Sequence, residues 1–312
     1  MDRESPYYKQ LSLLIRMLPV VATEPSFALK GGTAINLFVR DFPRLSVDID
    51  LAYLPLEPRH EALANVKAAL QRITDLINKE PENRAVLQDH RLDELRIVVI
   101  SPNATIKIEV SPVARGTLHK PDSLAVQESV EEEFGYAEIP VVSLPDLYGG
   151  KLCAAMDRQH PRDLFDVRML LAEEGISRDI FVGFITYVLS HPRPINEVMA
   201  PNWQPLDDKF QTEFDGMTFE PVELNDLIST RPAMVAALQV HFTEKDRSFL
   251  LSFKQGNPDW SLFDYPDAAE LPAIRWKLQN IAKLAKNQEK HVEQLTKLES
   301  VLDDWLKQAN SN

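Results

Sequence analysis

Apolar residues recur at helical spacing through Leu11, Leu14, Ile15, Leu18 and Val21, so residues 10–22 read as an amphipathic helix. Phe27-Ala28-Leu29-Lys30 follows as a short strand running into Gly31-Gly32, and Thr33 is placed to cap a helix that reaches Val39. Alternation from Leu45 to Leu54 predicts a strand ended by Pro55, and residues 59–79 show a long helical stripe. Two runs rich in β-branched residues, Leu95 to Ile100 and Thr105 to Val110, flank Ser101-Pro102-Asn103-Ala104. That arrangement predicts a hairpin with a four-residue turn, and Ile139 to Val142 adds a further strand. Strands interleaved with helices, including an antiparallel pair, define an α+β class with a mixed sheet and flanking helices.

Beyond residue 145 the strand signals thin out. Leu144-Pro145-Asp146 opens a helix that carries Lys151, another runs from Pro161 to about Glu173, and a long one spans Pro272 to Gln308. The expected division is a core domain over residues 1–145 and a mainly helical region over 146–312. The apolar stretch Ile180 to Leu189 is too short to cross a bilayer, and Met1 to Gln10 is charged, without the apolar core of a signal peptide. With one cysteine, Cys153, set in an apolar helical pattern, the chain reads as cytoplasmic, with no membrane partner and a packed thiol.

Charge and composition narrow the chemistry. The 312 residues carry a net charge of −13, which argues against a general nucleic-acid coat protein but permits a local basic track. The seven histidines show no pair at i and i+4 and no cysteine partner, against a zinc site. Neither Gly31-Gly32 nor Gly149-Gly150 sits in a P-loop or dinucleotide fingerprint, and no Gly-x-Ser-x-Gly elbow is present.

The informative feature is Lys30-Gly31-Gly32-Thr33 followed by Ser46-Val47-Asp48-Ile49-Asp50. Carboxylates at i and i+2 of a strand share a face about 6.5–7 Å apart along the backbone. Such a pair suits hard divalent ions that complete their shells with phosphate oxygens. Consecutive glycines before a helix let the backbone approach an anion. Glu109, alternating with Ile106 and Ile108, is positioned to add a third carboxylate, although alone it reads as a solvated strand residue. Thr33 and Ser46 offer hydroxyls to phosphate oxygens, and Arg44 offers a charge to a triphosphate or acceptor or simply to solvent.

Together these residues resemble the DNA-polymerase-β-like nucleotidyltransferase superfamily. More narrowly, Leu29-Lys30-Gly31-Gly32-Thr33-Ala34 with Arg44-Leu45-Ser46-Val47-Asp48-Ile49-Asp50-Leu51 is similar to the AbiEii/AbiGii-type toxin family. Gly150-Lys151-Leu152, His160-Pro161-Arg162-Asp163-Leu164-Phe165-Asp166-Val167 and Leu271 to Asn280 also resemble stretches of that family.

The resemblance implies a nucleotidyltransferase that uses Mg²⁺, or Mn²⁺, with a nucleoside triphosphate. It modifies an RNA acceptor, the 3′ end of transfer RNA, to block translation, as the toxin of a toxin–antitoxin or phage-defence system with a cognate antitoxin. Asp48, Asp50 and Glu109 would hold the metal. Gly31, Gly32, Thr33, Ser46 and Lys151 would hold the triphosphate, with Lys151 and Asp163 also catalytic.

Lys151, after two glycines, is set to reach phosphates from a helix start, against the simpler reading of an exposed helix lysine. Asp163 and Asp166 share a helix face and could orient Lys151 or Arg162, or could merely favour the helix dipole behind Pro161. Asp157 and Arg158 read as surface residues and Trp276 as core. Arg275, Lys277, Lys283, Lys286 and Lys290 form a local basic excess, read either as a solvated face or as a hold on an RNA backbone. Transfer to a small molecule or a protein hydroxyl, and a non-catalytic module on the same scaffold, remain the alternatives.

Overall fold

A computed structural model of the chain describes residues 4–89 and 95–311. Met1 to Arg3, the start of the charged N-terminal stretch, lie outside the described residues. The chain forms two compact units: one takes the chain up to Ser143 together with Gly216–Pro221, the other Leu144–Asp215 and the chain from Val222 onward.

In the first unit, helix α1 (Pro6–Val21) starts at Ser5, whose hydroxyl accepts from the Tyr8 amide at 3.1 Å. Strand β1 (Phe27–Lys30) leads into α2 (Gly31–Ala34), which continues as a wider π-turn over Ile35–Val39. Lys30 caps this helix without a side-chain bond, so Thr33 is not its cap. Then come β2 (Asp48–Tyr53), α3 (Arg59–Ile77), β3 (Arg84–Gln88), β4 (Arg96–Ile100), β5 (Thr105–Val110), β6 (Asp122–Ala125), α4 (Glu128–Phe134) and β7 (Glu138–Val141).

The seven strands form one mixed sheet in the order β3-β4-β5-β2-β1-β7-β6. Strands β2 and β5 run parallel, as do β1 and β7, and the remaining neighbours are antiparallel. The β4–β5 hairpin turns through Ser101–Ala104, closed by the Ser101 amide donating to the Ala104 carbonyl at 2.8 Å.

Side-chain alternation splits the sheet into a covered and an open face. Ile49, Leu51, Ile97, Val99, Ile106, Ile108 and Val110 are buried, with α1 and α3 packed against the sheet. Asp48, Asp50, Arg96, Val98, Lys107 and Glu109 alternate with them on the opposite face. Strands β3 and β6 and helix α4 are absent from the sequence reading. Each is short, β6 has no buried residue, and α4 buries only Val130, so apolar periodicity has little to mark.

The second unit is helical: α5 (Leu144–Asp157), α6 (Pro161–Ala172), α7 (Arg178–Ser190), α8 (Ile195–Met199), α9 (Asp207–Glu213), α10 (Leu224–Gln239), α11 (Glu244–Gln255), α12 (Pro272–Leu284) and α13 (Gln288–Ala309). Helices α5 and α7 cross closely at glycines. A Cβ on Gly149 would meet the Gly183 backbone, and one on Gly183 would meet the Pro145 carbonyl. The single terminal helix expected from Pro272 onward is instead two, separated at Ala285–Asn287, where the Asn287 side chain caps α13.

The phase of α12 also differs from expectation. Ala273, Ile274, Lys277 and Ile281 face inward, leaving Trp276 46% exposed. Lys277 is therefore no part of a surface basic patch; its ammonium donates to the carbonyls of His191 and Arg193. Cys153 is buried, and burial pushes its thiol up to about 12. Among the described residues no helix is long and apolar enough to cross a membrane.

Candidate active site

The sheet of the first unit brings the acidic residues together by register. Asp50 on β2 lies beside Glu109 on parallel β5, and beside Lys30 on antiparallel β1, while Asp48 lies beside Lys107. Register partners in neighbouring strands share a face, so Asp48, Asp50 and Glu109 all sit on the open side. Both aspartates are partly exposed. The Glu109 carboxylate lies 3.6 Å from Arg96 Nη1, its cross-strand neighbour on β4, which itself donates to Gln88 at 2.6 Å.

The glycine turn closes the other side of this corner. Gly31 has φ +75°, a backbone state that side chains with a Cβ avoid, and a Cβ there would stand 2.7 Å from Asp50 Oδ2. A Cβ on Gly32 would stand 2.7 Å from Arg44 Nη2 and 2.9 Å from Ser46 Oγ. Both glycines thus make room for polar groups carried by the loop and strand that follow. Among the described residues, no ion pair or side-chain hydrogen bond occupies Asp50.

Several sequence-proposed contacts take different positions. The Thr33 hydroxyl is buried, donates to the Asp48 carbonyl at 2.5 Å and lies 3.0 Å from Ser46 Oγ, so it ties the helix to β2. Arg44 is 2% exposed, with Nη1 donating to the Leu45 carbonyl at 2.7 Å. It lies beneath Gly32 as scaffold and not at the surface, where a triphosphate or solvent would meet it. The segment Gly216–Pro221 braces it: Thr218 pairs with Arg44, and Met217 accepts from the Leu45 amide at 2.8 Å. Apolar periodicity gives no sign of this brace.

In the second unit, Lys151 lies within α5 and not at a helix start, and it is buried. Its ammonium sits 2.9 Å from both Asp163 and Asp166 on α6. The i, i+3 spacing of the two aspartates thus serves to hold one lysine. Arg158 completes the cluster with Nε and Nη2 at 2.6 and 2.8 Å from Asp163, while its side chain stays 63% exposed. Burial would raise the Asp163 carboxyl, but the charges and bonds of Lys151 and Arg158 outweigh it and hold the group well below the usual range. Arg158 is the residue that sequence reasoning leaves on the surface. Its spacing from Asp163, five residues across a helix–helix turn, is the only signal of the pairing.

Among the described residues, no three of His, Cys, Asp and Glu are grouped closely enough to hold a metal ion by themselves. The Asp48–Asp50 pair nonetheless fits a hard divalent ion as a partial ligand set. Its donors are carboxylate oxygens, one of them in a recess that a Cβ on Gly31 would fill, and Mg²⁺ takes few protein ligands when phosphates supply the others. Glu109 would join only by turning away from Arg96.

The fold has solved counterparts. MenT4, a nucleotidyltransferase toxin from Mycobacterium tuberculosis H37Rv, superposes with a TM-score of 0.62 at 15% identity, over 90% of this chain and 95% of that one. A comparison with curated proteins finds no match. A mixed sheet bearing an Asp-x-Asp strand beside a glycine turn is the frame of a nucleotidyltransferase. The chain belongs to the AbiEii family, described as the nucleotidyl transferase AbiEii toxin of type IV toxin–antitoxin systems, whose model matches residues 12–280.

Proposed function

We propose that this nucleotidyltransferase moves a nucleoside monophosphate from a triphosphate to the 3′ end of an RNA, with transfer RNA as the acceptor, and so blocks translation in the cytoplasm. The observation that carries the reading is Asp50: a partly exposed carboxylate without a described partner, seated against Gly31, two residues from Asp48 and in register with Glu109. A carboxylate with no described partner on an open face beside a glycine bend is positioned for a ligand that brings its own positive charge.

In this reading Asp48 and Asp50 would hold Mg²⁺, or Mn²⁺, together with the triphosphate, and Glu109 would join them once turned away from Arg96. The ion, when bound, offsets charge on the phosphates and on the departing pyrophosphate. Gly31 and Gly32 let the triphosphate lie against the backbone, with Ser46 at its edge. Thr33 keeps Ser46 and β2 in place. The acceptor hydroxyl oxygen bonds to the α-phosphorus, the α–β anhydride bond breaks, pyrophosphate leaves, and a carboxylate of the Asp48–Asp50–Glu109 corner accepts the hydroxyl proton.

Lys151 and Asp163 act here as positioning residues that fix Arg158, the cation of their cluster that faces solvent. A cognate antitoxin and a role in phage defence complete the proposal, and the sheet-bearing core and the helical region are its two functional domains.

Incubating the protein with each labelled triphosphate, Mg²⁺, and either total RNA or a protein extract tests the reading. Label is expected in the RNA fraction. Label confined to protein, or to a small-molecule acceptor, would overturn the RNA acceptor while keeping the transferase.

A further inference from the structure

The open face that carries Asp48 and Asp50 continues across three more strands. Cross-strand register writes it as rows: Asp48, Lys107, Val98 and Val86 form one, and Thr105, Ile100 and Arg84 the next. Lys107, Thr105 and Arg84 are exposed, as are Val86 at 37% and Ile100 at 41%. Glu109 is the one acidic side chain that β3, β4 and β5 turn to this face, and it belongs to the carboxylate corner. Asp89, by contrast, follows the phase of buried Ala85 and pairs with Lys67 of α3 at 2.5 Å.

We propose that this outer face of β3–β4–β5 is the track along which the acceptor RNA strand approaches the carboxylate corner. The proposal rests on the reading that the acceptor is RNA. Charge is the first argument: in a chain of net charge −13, Arg84 and Lys107 have no described ion-pair partner here, and among the described residues no acid lies between them. Shape is the second. Val86 and Ile100 expose an aliphatic surface against which base faces can lie, while the cations stand where phosphates would lie.

Continuity is the third. With strands about 4.8 Å apart, the path from Asp48 on β2 to Val86 on β3 covers about 14 Å, the reach of a short run of nucleotides. Phosphates held by Arg84 and Lys107 would set the strand's direction, and the terminal hydroxyl would fall at Asp48 and Asp50.

The test is fluorescence anisotropy with a labelled single-stranded RNA of about ten nucleotides and the full chain carrying Arg84→Gln and Lys107→Gln. Both side chains are exposed, and melting temperature checks the fold. Affinity should fall roughly ten-fold near 0.1 M salt, and the log–log salt slope should become shallower by about 1.4, for two lost phosphate contacts. Unchanged affinity and slope would overturn the track. The two readings fail separately: labelled RNA formed equally by the unaltered and doubly substituted chains sinks the track and keeps RNA transfer. RNA bound through these two cations but never labelled keeps the track and sinks RNA transfer.

Discussion

Asp163 and Asp166 are each 1% exposed and are held by Lys151, with Arg158 added on Asp163. Asp50 is partly exposed, has no described partner and rests against a glycine. The same functional group is therefore kept under opposite conditions in the two units. A buried carboxylate must be matched by local cations, because desolvation of an unmatched charge costs several kcal/mol. Once matched, it has little capacity left for a ligand. A carboxylate at the edge of solvent needs no such partner and can still meet a cation that arrives from outside. Pairing with the buried Lys151 marks Asp163 and Asp166 as scaffold, and the partly exposed, unmatched Asp50 marks the candidate chemistry.

The largest effect expected from breaking this contrast is at the buried cluster. Asp163→Ala leaves Lys151 with Asp166 alone and removes the bonds from Arg158 to Asp163, and should cost about 3–5 kcal/mol of stability, read by urea denaturation. A variant as stable as the parent would show that the cluster is not scaffold. Asp50→Asn should do the reverse. Unfolding free energy should stay within about 0.5 kcal/mol, because no described partner is lost. Nucleotidyl transfer should fall at least ~100-fold, equivalent to about 2.7 kcal/mol in the barrier. Retained transfer would take Asp50 out of the chemistry.

Gly31→Ala sharpens the comparison at an intermediate level. The +75° backbone and the 2.7 Å approach to Asp50 Oδ2 predict a loss of about 1–2 kcal/mol in stability, together with weakened triphosphate binding. Stability and binding both equal to the parent would show that the turn does not shape the carboxylate corner. The last effect is read in acid, where the contribution of the same cluster is titrated away. The depressed Asp163 carboxyl gives a stability contribution that is complete above its ordinary value near 3.8 and is lost as pH falls through the lowered one. Stability of the parent relative to Asp163→Asn should therefore be flat near neutrality and converge only below about 4. Convergence already at pH 6 would contradict the assignment.

How much of this was legible in the sequence follows the same division. Strands β1, β2, β4 and β5 and the hairpin turn announce themselves by alternation and by Ser101-Pro102-Asn103-Ala104, and the α+β class follows from them. The order of the acidic residues was readable too, because an i, i+2 pair on a strand faces one way by geometry. What could not be read is who neutralises whom. Arg96 stands beside Glu109 only once β4 and β5 pair in this register, and Arg158 meets Asp163 only once α5 and α6 fold back on each other. Lys151 looked like a helix-start cation because Gly149-Gly150 precede it. The first of these glycines instead serves the crossing with α7. Trp276 and Lys277 exchanged their expected places because one residue of helical phase decides which of two neighbours faces inward.

The most direct test of the carboxylate corner is calorimetric titration of a non-hydrolysable triphosphate into the full chain, with and without Mg²⁺, for the parent and Asp50→Asn. Binding to the parent should depend on the metal, and Asp50→Asn should lose that dependence while remaining folded. Equal heats for both proteins, whether or not Mg²⁺ is present, would contradict the account.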